Sequence, residues 1–326
     1  DPDRSTTTAT VANNATAIAV NNATFDKRRR ISERMEMRVL TGRILRGIGG
    51  LYLIEDYDGA LHHASARGLF RLTGETPTAG DIVDCDLSGD QDRPWQIVSI
   101  HQRKKCLIRP SVANLDGLLI TISADDPPPD YLMVDKLIII CQIHRIEPVL
   151  VLTKTDLTDG TELLLEPYRP AKLRLIETSP EDTLGIQALA RWLKGKTACL
   201  AGLSGVGKST LLNRLMNDSV MPVSAVSKRI GRGRHTTREV VFFPCCGGYL
   251  ADTPGFSTLS LEDVGIRPDD IVLGYPEMDN LTGQCRFNNC RHIGEPGCAV
   301  DRTVIHADRL KRYRAFRKQM EEYEQW

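Results

Sequence analysis

The chain of 326 residues is long enough for two or three domains with buried cores. Its 42 basic and 42 acidic side chains balance and 41% of its residues are hydrophobic, which is ordinary for a soluble globular protein and says nothing about a nucleic-acid partner. No apolar run approaches the ~20 residues of a membrane span, so we expect no membrane partner.

The N-terminal third predicts an arm followed by a small barrel. Residues 1–36 are polar and contain the basic run 27–30, which predicts a disordered basic arm whose charges are either solvated or contact RNA. Between residues 37 and 103, four or five short strand patterns are separated by turns, which predicts a β-barrel. An oligonucleotide-binding (OB) barrel and a structural module without a ligand fit this segment equally well. The clearest strand patterns lie at 38–45, 51–54, 82–87 and 95–100.

The middle of the chain alternates buried-strand and helix patterns. Strand patterns lie at 115–122, 147–152 and 173–176, with a helix pattern at 131–145 after the first of them. Strands that alternate with helices predict a parallel α/β sheet.

The segment Thr153-Lys154-Thr155-Asp156 resembles the guanine-binding motif N-K-x-D. A carboxylate such as that of Asp156 can accept hydrogen bonds from N1–H and the 2-amino group of guanine. Adenine has neither donor there, so the motif argues against an ATP-using enzyme, which is the alternative. The pair Thr178-Ser179 weakly resembles the loop whose backbone binds guanine O6.

The stretch 202–209 has the pattern G-x-x-x-x-G-K-S between a predicted strand at 196–201 and a predicted helix at 210–215. This is the context of a phosphate-binding loop, whose glycines let backbone N–H groups point at phosphate oxygens. Lys208 can reach the β- and γ-phosphates, and Ser209 can ligate Mg²⁺. A glycine-rich turn without a ligand is the alternative. The predicted contacts are Gly202, Leu203, Ser204, Gly205, Val206, Gly207, Lys208, Ser209 and Thr210.

Two later segments match the switches of a GTPase. In the D-T-P-G stretch 252–255, Asp252 can hold Mg²⁺ through water and the Gly255 N–H can contact the γ-phosphate. Thr237, with Thr236 as fallback, can complete the Mg²⁺ shell. The guanine motif precedes the phosphate loop here, the reverse of the usual order, which predicts a circularly permuted GTPase domain.

The C-terminal segment predicts one structural Zn²⁺ site. Three of the nine cysteines and a histidine follow the spacing Cys285-x₄-Cys290-x-His292-x₅-Cys298, which offers four soft ligands. This usage favours a reducing compartment over a disulfide framework, so we expect a cytoplasmic protein. Three incidental buried cysteines are the alternative.

The tail 308–326 has helical spacing. Its apolar stripe predicts packing, and its other faces predict a basic surface that suits RNA. The apolar residues are Leu310, Tyr313, Phe316, Met320 and Tyr323, and the basic ones are Arg309, Lys311, Arg312, Arg314, Arg317 and Lys318.

The barrel, the permuted motif order and the metal spacing together resemble the RsgA (YjeQ) family of circularly permuted, small-ribosomal-subunit-dependent GTPases, over about residues 37–326. The resemblance implies an α/β fold: a circularly permuted P-loop GTPase domain (104–262) with an N-terminal OB-fold β-barrel (37–103) and a C-terminal α-helical zinc-binding subdomain (263–326). Thr153 departs from the usual Asn of the guanine motif.

The resemblance also implies a function. It implies hydrolysis of GTP to GDP with Mg²⁺, stimulated by the small (30S) ribosomal subunit during its late maturation, with contacts to 16S-type rRNA. We expect a monomer. The alternative is an RNA-binding scaffold whose RNA binding is controlled by the bound nucleotide and whose GTP turnover is negligible.

The expected catalytic residues are Lys208 and His235. Phe256 stands where Ras-type enzymes carry a water-orienting Gln, and an apolar ring cannot orient water. The resemblance implies that His235 substitutes for that Gln. The alternative is that His235 contacts RNA beside Arg232 and Arg234.

Overall fold

The computed structural model describes most of the chain from residue 39 onward. The predicted arm, His235, Thr237 and Gly255 lie outside the described residues. The described ranges are 39–66, 70, 74–86, 95–107, 109–217, 240–252, 256, 259–281, 283–300 and 305–324.

The N-terminal strands close into a five-stranded barrel in the order β1-β2-β3-β5-β4. All neighbouring pairs are antiparallel except β3 with β5. Its core contains Ile44, Ile54, Val83 and Ile97, all fully buried. The predicted barrel is therefore confirmed. The strand β3 was not among the clear strand patterns because its sequence, Leu-His-His-Ala-Ser-Ala, has no β-branched residue and no Phe, Tyr or Trp. The strands are β1 (Val39–Ile48), β2 (Leu51–Asp56), β3 (Leu61–Ala66), β4 (Ile82–Asp86) and β5 (Trp95–Ile100).

A short hairpin, β6 (Cys106–Leu107) with β7 (Val112–Ala113), leads from the barrel into a six-stranded sheet. Five strands of this sheet are parallel and one edge strand is antiparallel, in the order β10-β9-β8-β11-β13-β12. Parallel strands covered on both faces become continuous apolar runs, and the central strand is buried throughout. The strands are β8 (Gly117–Ser123), β9 (Glu147–Thr153), β10 (Arg174–Glu177), β11 (Thr197–Ala201), β12 (Val241–Cys245) and β13 (Gly248–Asp252).

Helices cover the sheet and form the C-terminal segment. The first is capped by Asp130, which accepts the Met133 N–H at 3.0 Å, and the third by Asp182, which accepts two N–H groups. Among the helices of the described ranges, none is both long and apolar enough to cross a membrane. The α-helices are α1 (Tyr131–Ile143), α2 (Thr161–Leu165), α3 (Thr183–Leu193), α4 (Lys208–Asn217) and α5 (Ala307–Glu324). The 3₁₀ helices are Glu166–Ala171, Glu262–Val264, Pro268–Gly274 and Pro276–Leu281.

The barrel touches the sheet through Tyr249, near the start of β13. The Tyr249 hydroxyl donates to Glu55 Oε2 at 2.7 Å, and the Arg43 guanidinium lies 4.7 Å from the ring centroid. Burial, together with the Glu55 carboxylate, raises the pKa of Tyr249 to about 12. The strand that ends at Asp252 therefore begins against the barrel.

The C-terminal helix is held to the sheet domain by Arg309, which is fully buried. Its guanidinium donates to Asp135 Oδ1 on α1 and to Glu277 Oε1, both at 2.6 Å, and to the Gly274 carbonyl at 3.1 Å. The rings of Tyr168 and Tyr275 lie on it at 4.7 and 4.6 Å. A buried cation with this many partners orients α5 relative to α1.

This arrangement corrects the basic surface expected on the tail. Arg309 and Arg317 are buried, and Arg312 pairs with Asp135. Three of the six predicted basic contacts are thus structural. Arg314 is half-buried and donates to the His292 carbonyl, while Lys311 and Lys318 remain exposed. The apolar stripe packs inward as predicted except at its end, where Tyr323 is 59% exposed.

We expect Arg309→Met to lower the free energy of unfolding by about 3–5 kcal/mol, because it leaves Glu277 buried without a cation and Asp135 with Arg312 alone. Urea unfolding followed by circular dichroism measures this change. Lys318→Met is the control, since its exposed ammonium lies 3.8 Å from Glu322, and it should cost less than about 0.5 kcal/mol. Equal unfolding midpoints for the two variants would contradict the role given to Arg309.

Candidate nucleotide site and metal cluster

The phosphate loop curls between β11 and α4 at the carboxyl edge of the sheet. Its backbone is left-handed at Gly202, Gly205 and Gly207, with φ of 146°, 85° and 95°. At Gly202 a Cβ atom would lie 2.4 Å from the Thr121 carbonyl oxygen, so the loop crosses β8 too closely for any side chain. The N-terminus of α4, with its free N–H groups, therefore faces a concave backbone turn suited to phosphate.

Lys208 folds back over this turn. Its Nζ donates to the carbonyl oxygens of Gly202 at 2.9 Å and Leu203 at 2.7 Å. Burial lowers the pKa of Lys208, and the nearby Asp252 carboxylate opposes that shift. The ammonium is thus held within the loop, where a phosphate oxygen can replace one of the two carbonyl acceptors.

Ser209 and Asp252 meet across the site from two different elements. Ser209, on the first turn of α4, places Oγ 3.4 Å from Asp252 Oδ2 at the end of β13. A hydroxyl and a carboxylate are oxygen ligands of the kind that Mg²⁺ takes beside substrate phosphates. The pair fits the Mg²⁺ that a GTPase uses with GTP.

Thr153 connects the guanine motif to the phosphate loop. Its buried hydroxyl lies 2.6 Å from the Val206 carbonyl oxygen and 3.1 Å from that of Ile122. A single hydroxyl hydrogen serves one acceptor fully, and the shorter contact is the one to the phosphate loop. The residue that departs from the usual Asn therefore still braces one loop against the other.

The rest of the guanine motif lies beside this brace. Lys154 has a left-handed backbone, with φ of 58°, and its Nζ donates to the Asp126 carbonyl in the loop after β8. Thr155 is half-buried, and Asp156 is exposed, so its carboxylate is open to solvent at the mouth of the site.

The second predicted guanine loop is tied to the phosphate-loop helix by Arg214. The Thr178 N–H donates to the Leu152 carbonyl at 2.8 Å, and Arg214 on α4 donates to the carbonyls of Ser179, at 2.8 Å, and Pro180. Arg214 was not predicted from the sequence. The available signal was a basic residue in the second turn after the phosphate-loop lysine, which does not identify its partner.

Phe256, the apolar residue after D-T-P-G, is 1% exposed and belongs to the main core. Its ring is therefore packed inside the domain and offers no polar atom to the site. Thr236, Thr237, His235 and Gly255, predicted on the same side of the nucleotide, lie outside the described residues.

The four predicted metal ligands converge. His292 Nδ1 lies 3.5 Å from Cys285 Sγ, 3.6 Å from Cys290 Sγ and 3.5 Å from Cys298 Sγ. Tetrahedral Zn²⁺ with ordinary Zn–S and Zn–N bonds would place sulfur and nitrogen roughly 3.6 Å apart. Burial and the neighbouring thiols raise the pKa of Cys290 to about 12. A bound cation would favour the thiolate and offset this rise. The cluster is compatible with one structural zinc.

Two further side chains shape this cluster. Glu295 accepts the backbone N–H groups of Arg291 at 2.6 Å and Ile293 at 2.8 Å, which closes the turn around His292. Burial opposes ionisation of Glu295, but these hydrogen bonds lower its pKa to about 2. The Tyr313 hydroxyl on α5 donates to the Arg291 carbonyl at 2.8 Å, so the helix fixed by Arg309 also supports the metal loop.

These features define a circularly permuted P-loop GTPase with an OB-like barrel before the sheet and a Cys₃His cluster after it. The RsgA GTPase family model matches residues 100–262, and the RsgA N-terminal domain model matches residues 41–92. The chain belongs to the RsgA GTPase family, and it is a GTPase.

Curated relatives and solved structures agree with this assignment. The chain is 38% identical over 292 residues to the small ribosomal subunit biogenesis GTPase RsgA of Ruminiclostridium cellulolyticum, covering 87% of this chain and 95% of that protein. It is 34% identical to the protein of the same name from a Geobacillus species, covering 84% and 93%. The crystal structure of YjeQ from Thermotoga maritima is 30% identical with a TM-score of 0.71, covering 86% of this chain and 98% of that one. That of YloQ, described as a circularly permuted GTPase, is 28% identical with a TM-score of 0.71, covering 89% and 98%.

We expect Thr153→Val to weaken GTP and GDP binding by roughly 5- to 10-fold, because it leaves the buried Val206 carbonyl without its hydroxyl donor at nearly constant side-chain volume. Thr153→Ser keeps the hydroxyl and should retain most of the affinity. Titration with a fluorescent guanine nucleotide measures both variants. Equal affinities for Val and Ser variants would remove the bracing role from the hydroxyl.

We expect Cys290→Ser to release zinc and to destabilise the C-terminal segment while the GTPase domain stays folded, because metal binding contributes folding free energy to so small a unit. Metal analysis by mass spectrometry gives the zinc content. Cys106→Ser, at an exposed cysteine outside the cluster, should keep one zinc per chain. Full zinc occupancy in Cys290→Ser would exclude this ligand set.

Proposed function

We propose that this protein is a GTPase of small (30S) ribosomal subunit biogenesis, that the subunit stimulates its turnover, and that it acts as a cytoplasmic monomer late in subunit maturation. The names of the relatives, small ribosomal subunit biogenesis GTPases, support the subunit as partner. The observation that carries the proposal is the assembly of the predicted nucleotide-binding groups at the carboxyl edge of the sheet. There Ser209 lies beside Asp252, and Thr153 braces the phosphate loop.

Within the site, each group has a proposed role. Lys208 and the backbone N–H groups of the phosphate loop bind the β- and γ-phosphates of GTP. Ser209, Asp252 and Thr237 hold Mg²⁺, whose charge offsets that of the phosphates. Asp156 accepts the N1–H and 2-amino hydrogens of guanine, the Ser179 loop contacts O6, and the Gly255 N–H contacts the γ-phosphate.

The attacking water needs a polar group that Phe256 does not supply, because its ring is buried in the core. We propose His235 for that role, since it lies two residues before Thr237, the proposed Mg²⁺ ligand next to the γ-phosphate. Ribosomal RNA is the proposed activator, because residues 229–238 include four arginines. The barrel and the zinc-binding segment are the proposed contacts to 16S-type rRNA.

The buried Phe256 also favours a second candidate. This is an RNA-binding scaffold whose RNA binding is controlled by the bound nucleotide and whose GTP turnover is negligible. A GTPase fold without a positioned water would bind GTP tightly and hydrolyse it slowly in every context. The two candidates differ in one measurable quantity, the response of turnover to the subunit.

We expect GTP turnover to rise at least 10-fold when purified small subunits are added, while Lys208→Ala remains inactive with and without them because it lacks the phosphate-binding ammonium. Phosphate release at saturating GTP measures both. Turnover that does not change with subunits, in a protein that still binds them, would favour the scaffold.

We expect His235→Ala to keep GTP affinity and subunit binding. Its subunit-stimulated turnover should fall roughly 10²-fold, because no side chain then positions the attacking water. His235→Gln retains a polar side chain and should recover part of the rate. If His235→Ala instead weakens subunit binding and turns over normally at saturating subunits, the residue contacts RNA and the catalytic assignment is wrong.

A further inference from the structure

The edge of the sheet opposite the nucleotide holds a second cavity. An open cavity of ≈ 810 Å³ is bounded by residues just before or at the amino ends of β8, β9, β10 and β11. A strand of seven residues spans about 20 Å, so this cavity and the phosphate loop lie at opposite ends of the same strands. The cavity is therefore separate from the nucleotide site.

Its lining is strongly cationic. Five side chains are Lys or Arg and two are carboxylates, Asp116 and Glu147. The cations come from separate segments. These are the connection after the barrel, the residues that follow α1, the residues before and at the start of β10, and the residue before β11. They are Lys105, Arg145, Lys172, Arg174 and Lys196.

The two carboxylates are already engaged. Glu147 accepts hydrogen bonds from Trp192 Nε1 at 2.9 Å, from Arg174 Nε at 3.1 Å and from Lys196 Nζ at 2.7 Å. Burial alone would raise the pKa of Glu147, but these donors lower it, so the group stays ionised and paired with Arg174 and Lys196. Asp116 accepts the Thr197 N–H at 2.9 Å.

Three cations remain for an external anion. Lys105, Arg145 and Lys172 have no carboxylate partner in the part of the chain that the structure describes. Arg145 and Lys172 also occupy left-handed backbone positions, with φ of 57° and 53°, where glycine or asparagine is ordinarily favoured. A helix end favours a nearby cation, but that effect does not explain why cations from separate segments converge on one cavity.

The shape of the cavity indicates the class of ligand. The lining extends across four adjacent strands, or about 14 Å at the usual strand spacing, which exceeds the size of one phosphate. No aromatic side chain is among its described lining residues, so nucleotide bases have no stacking platform there. Lysine and arginine side chains from several segments, with no ring beside them for a base to stack on, suit the phosphodiester backbone.

We propose that this cavity binds the phosphate backbone of ribosomal RNA, as a contact of the GTPase domain distinct from those of the barrel and the zinc-binding segment. The inference rests on the proposed function, which supplies the RNA. Because the two edges belong to one rigid sheet, the subunit would hold the GTPase domain from the side opposite to the nucleotide.

The test compares two double variants in binding to purified small subunits, with a non-hydrolysable GTP analogue, over a series of KCl concentrations. Arg145→Gln with Lys172→Gln should bind roughly 10-fold more weakly near physiological salt and reduce the slope of log K against log[KCl] by roughly 1.5, because two phosphate contacts are lost. The control, Lys136→Gln with Arg191→Gln, removes the same charge outside the cavity and should match the parent protein. GTP affinity should be unchanged in both, which also reports correct folding.

Each other outcome overturns the inference in a distinct way. An unchanged slope and affinity in the cavity variant would exclude an RNA contact there, and weaker binding with an unchanged slope would indicate a ribosomal protein instead. Equal weakening in the control would show a general charge effect. If the parent protein itself does not bind subunits, the proposed function fails first.

Should the double variant lose GTP affinity, the single change Lys105→Gln tests the same cavity, and an unchanged salt slope there counts against it.

Discussion

Five parallel strands that run in one direction are the constraint on which the rest of this structure depends. The loops after their carboxyl ends must meet at a single edge, whatever the order in which the chain visits the strands. The guanine motif after β9, the phosphate loop after β11 and Asp252 at the end of β13 are therefore neighbours, although their order along the chain is permuted. Permutation moves the chain termini and preserves the packing.

Both flanking modules contact the sheet domain directly. The strand β13 begins at the barrel, through Tyr249 and Glu55, and ends at Asp252 beside Ser209. The C-terminal helix is held through the buried guanidinium of Arg309, and the same helix supports the metal loop through Tyr313. A displacement of either module would thus act on elements that lead into the nucleotide site.

The two edges of the sheet are built from different groups. The carboxyl edge offers a glycine turn, a helix N-terminus and a hydroxyl–carboxylate pair, which suit a nucleotide with its Mg²⁺. The amino edge gathers cations around a carboxylate, Glu147, that already accepts three hydrogen bonds. Strand ends and helix ends alternate in an α/β sheet, so one rigid unit can present two separate charged surfaces.

The sequence by itself determined the features whose chemistry depends on short spacings: the phosphate loop, the Cys-x₄-Cys-x-His-x₅-Cys cluster, the permuted motif order and most strands. Tertiary structure alone decided which distant groups meet. The Thr153 hydroxyl finds a carbonyl 53 residues away, and Arg309 finds Asp135 174 residues away. Side chains that look like a basic helix surface in sequence became buried partners, and β3 paired despite a weak local pattern. Local spacing encodes a ligand set, whereas burial and long-range pairing depend on how the elements pack.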